Sequence, residues 1–167
     1  MELKAVKFRR DGFYTQPFVF GGEEGPEKFD INIRYRGSLQ NYLIDTGSEV
    51  ILVDTGLPAG FPEETPNEKS MIYTGKDICT YMEAFAALGY KPEQVTKILV
   101  THKHADHTGE LRSFPNAKVY VNKDEMVSFQ FNYITPACRW ILTLEIMLDG
   151  ISKDICLSIL PGVLLTA

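Results

Sequence analysis

Every histidine of this chain lies in one short run, Thr101-His102-Lys103-His104-Ala105-Asp106-His107-Thr108-Gly109, directly after the apolar stretch Lys97-Ile98-Leu99-Val100. In extended backbone successive side chains alternate faces, so His102 and His104 point the same way. A helical turn immediately afterwards would curl Asp106 and His107 back toward the same space. Four nitrogen and oxygen donors converging on one point suit a borderline divalent cation, zinc above all. A polar loop of solvated histidines is the plain alternative, and for a single histidine it would be the better one. Three imidazoles with an interposed carboxylate after a buried strand read as a metal site.

The run resembles the His-x-His-x-Asp-His signature of the metallo-β-lactamase superfamily of metal-dependent hydrolases, and the resemblance extends over most of the chain. The segment from Leu43 to Gly56, ending in Asp54-Thr55-Gly56, is similar to the family's early hairpin. Lys91-Pro92-Glu93-Gln94-Val95 resembles its helix-to-strand joint, and Pro115-Asn116-Ala117-Lys118-Val119-Tyr120-Val121 the strand after the metal loop. Among members, the lactonases and glyoxalase II-like hydrolases are the most similar in character.

That resemblance implies an α/β (α+β) fold, an αββα sandwich, with residues 1–167 as the N-terminal part of a single domain. It implies two divalent metal ions, zinc first, with iron and manganese compatible. His102 and His104 would serve one metal, Asp106 and His107 the other, and Asp54 would be a supporting carboxylate behind the ligands. A hydroxide shared by the metals would attack the carbonyl carbon of an ester, lactone, thioester or amide in a small-molecule substrate. Asp106 would be the catalytic carboxylate, orienting that hydroxide and passing its proton to the leaving group.

The family pattern also calls for a third histidine, a bridging aspartate and a last histidine, yet no histidine follows His107. The stretch from Cys156 to Ala167 reads as a hairpin around Pro161-Gly162, like the one that leads to the next ligand-bearing loop in relatives. The expectation is therefore about the first half of a hydrolase. A half-sandwich would expose an apolar sheet face, which self-association into a homo-oligomer or a complementing chain would cover. The rival to an enzyme is thus an incomplete or degenerate, non-catalytic half-domain that needs a partner chain.

Composition bears on the class of partner. With 44% apolar residues in 167, the chain can bury a substantial core. Lysine and arginine number 17 against 22 acidic residues, a net charge of −5, so the basic footprint of a nucleic-acid binder is missing. Met1–Arg10 alternates charge and apolarity, unlike a signal peptide, and Ile141–Leu148 is too short to span a bilayer. Cys79, Cys138 and Cys156 are odd in number and widely spaced, which points to buried thiols in a reducing cytoplasm rather than a disulfide framework.

Along the chain, Leu3–Phe8, Phe13–Phe20, Phe29–Arg36, Asn41–Ile44 and Val50–Val53 read as strands separated by Gly, Asp and Asn turns. Leu57–Thr74, with Pro58, Pro62 and Pro66, has no periodicity. It is either a lid over the metal site, with Phe61 and Tyr73 as apolar contacts, or disordered. Gly75–Gly89 carries Ile78, Tyr81, Met82, Phe85 and Leu88 at helical spacing and stops at Gly89. Lys97–Val100 reads as a strand buried on both faces. Thr108–Phe114 is expected as a short helix, Lys118–Val121 as a strand, and Asn122 as the cap of a helix to about Ser128. Arg139–Leu148 is expected to be helical, with Phe129, Phe131, Tyr133 and Trp140 as candidate pocket wall.

A different enzyme class is suggested by Asp45-Thr46-Gly47-Ser48, which resembles the elbow of retropepsin-like aspartic proteases, where two chains each supply a carboxylate. A plain β-turn explains the same residues, and explains Asp54-Thr55-Gly56 as well.

Overall fold

A computed structural model describes residues 1–22, 25–122, 141–148 and 151–158, the last two segments as backbone only. The chain opens with β1 (Glu2–Lys7), β2 (Arg9–Arg10) and β3 (Gly12–Thr15), then a one-turn helix α1 (Gln16–Phe20). Strands β4 (Arg34–Gly37), β5 (Gln40–Asp45), β6 (Val50–Val53), β7 (Ile72–Tyr73) and β8 (Lys76–Asp77) follow. Helix α2 (Tyr81–Ala87), strand β9 (Val95–Val100), helix α3 (Ala105–Thr108) and β10 (Lys118–Val121) complete the part that bears the histidine loop. Two further strands are β11 (Ile141–Leu148) and β12 (Ile151–Ser158).

The main sheet has seven strands in the order β1-β5-β6-β9-β10-β11-β12. Its β1, β5 and β6 run antiparallel, whereas β6, β9 and β10 are parallel neighbours. Parallel pairing sends the ends of β6 and β9 to the same edge, so Asp54 and Thr101 emerge side by side. Two small sheets, β4-β3-β7 and β2-β8, stand beside the main one.

Register separates the two faces of the main sheet. Leu43, Leu52, Ile98 and Val119 are aligned across four strands and all are buried. Tyr81, Ala84 and Phe85 of α2 belong to the same core, with Phe114 edge-on to Phe85 at a centroid distance of 5.2 Å. The next row, Tyr42, Val53, Leu99 and Tyr120, faces the opposite way. There Tyr42 and Leu99 are each 40% exposed. The expectation that Lys97–Val100 is buried on both faces is therefore corrected: the described residues cover one face only.

Other expectations shift for local reasons. Helix α2 begins at Tyr81, because Thr80 and Glu83 form a reciprocal capping box that fixes its start, and Lys76–Asp77 pairs with β2 instead. Gly89 (φ 87°) does supply the left-handed stop. The expected strand Phe13–Phe20 ends at Thr15, where Pro17 starts α1, and that over Phe29–Arg36 shrinks to Arg34–Gly37. The turn of helix expected over Thr108–Phe114 comes earlier, at Ala105–Thr108, followed by a 3₁₀ turn at Leu111–Ser113. Ile141–Leu148 is a strand rather than a helix, paired antiparallel with Ile151–Ser158 over eight residue pairs. Apolar periodicity alone does not separate a short helix from a buried strand. The helix after Asn122, the aromatic residues Phe129, Phe131, Tyr133 and Trp140, Cys138, and the Pro161-Gly162 turn lie outside the described residues.

The proline-rich segment after β6 is held by one cation. Arg9 is 1% exposed. Its Nε donates to Asp77 Oδ1 at 2.6 Å, Nη1 to Thr74 Oγ1 at 2.7 Å, and Nη2 to the carbonyls of Phe61 and Pro62 at 3.4 and 3.3 Å. Phe61 lies against this guanidinium and Tyr73 against Phe13. Neither ring fills the expected lid position over the histidines.

Candidate metal centre

Asp54 follows the last residue of β6 and adopts φ 65°, a left-handed conformation that Asp tolerates better than most residues. The bend turns its carboxylate toward the chain leaving β9. Oδ1 accepts from the Thr101 backbone N–H at 2.8 Å, and Oδ2 accepts from Thr101 Oγ1 at 2.9 Å. The same Oδ2 lies 2.7 Å from His107 Nδ1. With Asp54 only 4% exposed, this pairing orients the ring and places a proton on Nδ1, so that Nε2 is the nitrogen a metal would take once its own proton is displaced.

Strand β9 ends at Val100, and α3 begins after His104. That one turn brings all four expected ligand residues together. His102 Nε2 and His104 Nδ1 are 2.9 Å apart, and the rings of His102 and His107 have centroids 3.9 Å apart. His107 Nε2 faces Asp106 Oδ2 at 3.4 Å.

The charges reinforce one another. Burial works against protonating His107, but the hydrogen bonds and charges of Asp106 and Asp54 outweigh it and push the imidazole up to about 9. Burial would raise the Asp106 carboxyl, yet the bond to His107 leaves it below the ordinary carboxylate range. His102 is lowered, first by burial and then by its two histidine neighbours. A lowered imidazole is neutral at physiological pH, the form that ligates.

The loop is tied to the segment after β6 by groups that the sequence reading passed over. The Thr55 N–H donates to the His107 carbonyl at 2.8 Å, and Thr55 Oγ1 to the same carbonyl at 3.2 Å. Gly109 N–H donates to the Gly56 carbonyl at 2.8 Å and Glu110 N–H to that of Thr55 at 3.2 Å. Glu110 Oε1 accepts from the Ala59 N–H at 2.8 Å. The available signal was Asp-Thr-Gly at a strand end, since a positive φ at Gly56 (64°) follows the one at Asp54.

In donor chemistry the cluster fits a divalent cation: three imidazoles and a carboxylate within one turn. In its present geometry, His102 and His104 share a hydrogen bond across the space between them. Among the described residues no group of three or more His, Cys, Asp or Glu side chains is arranged to hold a metal ion as it stands. Ligation would exchange the His102–His104 hydrogen bond for metal bonds.

Asp45 lies elsewhere. It pairs with Val50 at the start of β6, at the opposite edge of the sheet from Asp54. Its Oδ1 accepts from the Gly47 N–H and its Oδ2 from the Tyr90 hydroxyl, each at 2.8 Å. These bonds, the Gly47 one foremost, lower its carboxyl. The geometry is that of a turn, and it gives the protease alternative no support. Cys79 is a free thiol, away from the histidines on the segment leading into α2. No helix among the described residues is long and apolar enough to cross a membrane.

Comparison with known proteins agrees with this architecture. The family model of the metallo-beta-lactamase superfamily matches residues 36–123, more than half of the chain, and the chain belongs to that superfamily. An N-acyl homoserine lactonase of Bacillus cereus is 29% identical over 96 residues, covering 54% of this chain and 38% of that protein. The mouse metallo-beta-lactamase domain-containing protein 1 is 46% identical over 43 residues, 26% of this chain and 16% of that protein. The matches thus span about two fifths or less of these curated relatives. A solved N-acyl homoserine lactone hydrolase with N-hexanoyl-L-homoserine bound at its catalytic metal centre superposes with a TM-score of 0.60. It is 18% identical, and the superposition covers 90% of this chain and 63% of that one, which speaks for the fold.

Proposed function

We propose that this chain carries the first part of the active site of a metal-dependent hydrolase acting on a carbonyl ester or amide. The observation that carries this reading is the convergence of His102, His104, Asp106 and His107 on one turn after β9, backed by Asp54. His102 and His104 would hold one divalent cation, and Asp106 and His107 a second, zinc being the first candidate for both. When bound, such ions supply Lewis acidity to the substrate carbonyl and acidify water. Asp54 holds His107 with its Nε2 toward the site, and Asp106 takes the proton of the attacking water and returns it to the leaving group, the alkoxide oxygen of an ester or lactone or the nitrogen of an amide. A lactone is the first substrate class to try, because the lactonase relatives share this part of the fold.

A second reading is a non-catalytic half-domain that needs a partner chain. The half-exposed row Tyr42, Val53, Leu99 and Tyr120 favours it, being apolar and aligned as a packing surface.

Metal content per purified 167-residue chain, with lactone turnover measured beside it, separates the two. About two tightly held ions with turnover supports the hydrolase. Neither metal nor turnover supports the half-domain. In an active preparation Asp106→Ala and His104→Ala are each expected to abolish turnover, with substitutions at Lys103 and Ala105 tolerated. Near wild-type hydrolysis by either ligand variant would sink the assignment.

A further inference from the structure

A cleft of about 180 Å³ opens beside the histidine loop, lined by Asp106 and His107 together with Tyr14, Gln40 and Asn41 among others. Tyr14 belongs to β3, far from the histidines in sequence, and sits there because of two features of the small sheet. Its ring stacks on Phe18 of α1 with centroids 5.8 Å apart and planes 23° off parallel. The ring also packs close to Gly37 of β4, where an added Cβ would come within 2.3 Å of Tyr14 Cε2. A glycine at that position is what lets the ring lie where it does.

Asn41, which borders the cleft, is 4% exposed, and its buried Oδ1 has no hydrogen-bond partner among the described residues. A folded protein keeps such a group mainly where function requires it, since leaving a buried acceptor unpaired is destabilising.

We propose that Tyr14 is a substrate-contacting residue, its phenol hydroxyl donating a hydrogen bond to the carbonyl oxygen of a small ester or lactone seated in this cleft beside Asp106. The proposal rests on the hydrolase reading above and adds a residue to it. Burial first, and then the nearby Asp106 charge, raises the Tyr14 phenol, which keeps the hydroxyl a donor throughout the physiological range. A donor aimed at a carbonyl oxygen strengthens as negative charge builds there.

Tyr14→Phe is the decisive variant, because it keeps the ring, its stacking on Phe18 and its fit over Gly37 while removing one oxygen. Binding of γ-butyrolactam, a cyclic carbonyl probe that resists hydrolysis, is followed by NMR titration of the 167-residue chain. The wild type is expected to bind about fivefold to tenfold more tightly than Tyr14→Phe, the worth of one hydrogen bond. Gly37→Ala, which forces the ring aside, is expected to lose the same margin, and the double variant little more. Equal affinity of wild type and Tyr14→Phe, or no binding by the wild type, overturns the proposal, as does full additivity of the two substitutions. Turnover of γ-butyrolactone is read separately. Where it occurs, Tyr14→Phe should lower kcat on the order of a hundredfold and raise KM by about the margin read with the lactam. Its absence from the wild type counts against the hydrolase reading alone, because the probe preference is measured without it.

Discussion

The Asp54 carboxylate and the His107 imidazole meet at 2.7 Å, although fifty-three positions separate them in the chain. The contact exists because β6 and β9 are parallel neighbours whose ends leave the sheet together, and because Asp54 bends through a left-handed conformation at that edge. A carboxylate behind a ligating histidine fixes its tautomer and raises its basicity.

Asp54→Asn tests that relationship with little disturbance of the backbone, since Asn also tolerates positive φ. The amide still accepts from Thr101, but the charge facing His107 is gone. Zinc affinity, measured by competition with a chromophoric chelator, is expected to fall about tenfold to a hundredfold. Unchanged affinity would mean that Asp54 only holds the loop.

The His107 imidazole provides a pH signature. Its folded value of about 9 lies above the ordinary 6.5, so protonation favours the folded chain. That contribution is complete below about pH 6.5 and is lost as pH rises through about 9. A titration of the imidazole carbon protons by NMR, with chelator present, is expected to show one histidine near 9, returning toward 6.5 in Asp54→Asn. Metal must displace this proton, so affinity should climb with pH up to the same value. Three histidines all titrating near 6.5 would contradict the ion-pair geometry.

Gly109 lies against the backbone of the segment after β6. A Cβ there would meet Pro58 N at 2.2 Å and the Gly56 carbonyl oxygen at 2.5 Å, both of them backbone atoms that cannot swing away. Gly109→Ala is expected to lose about 1–3 kcal/mol of stability in urea unfolding, the usual range for overpacking. Zinc binding should weaken in parallel, because Thr55 and Gly109 together tie the histidine loop down. A variant as stable as the wild type would show that the two loops are not rigidly joined.

How much of this could be read in advance differs from element to element. The histidine run announced itself because a metal site needs its donors close together, and one turn of chain supplies four of them. Three strands of the main sheet were also legible: Asn41–Ile44, Val50–Val53 and Lys118–Val121 are apolar runs bounded by turn residues, and strands stand at each. Helix α2 was expected too long, because its periodicity outweighed the local capping signal at Thr80. Ile141–Leu148 was misread because a strand and a short apolar helix share a pattern until a pairing partner is known. Leu99 reads as buried in any apolar run, and its exposure is a property of what packs on the sheet.

The sequence by itself determined which donors this protein gathers on one turn, since residue type and local spacing are fixed by neighbours in the chain. The tertiary structure decided what stands behind and beside them. Asp54 reaches His107 only through parallel pairing, Arg9 holds the proline-rich segment only through its burial, and Tyr14 shares a cleft with Asp106 only because Gly37 leaves room for its ring. Those contacts join residues distant in sequence, and no local pattern of side chains encodes which distant strand will lie alongside.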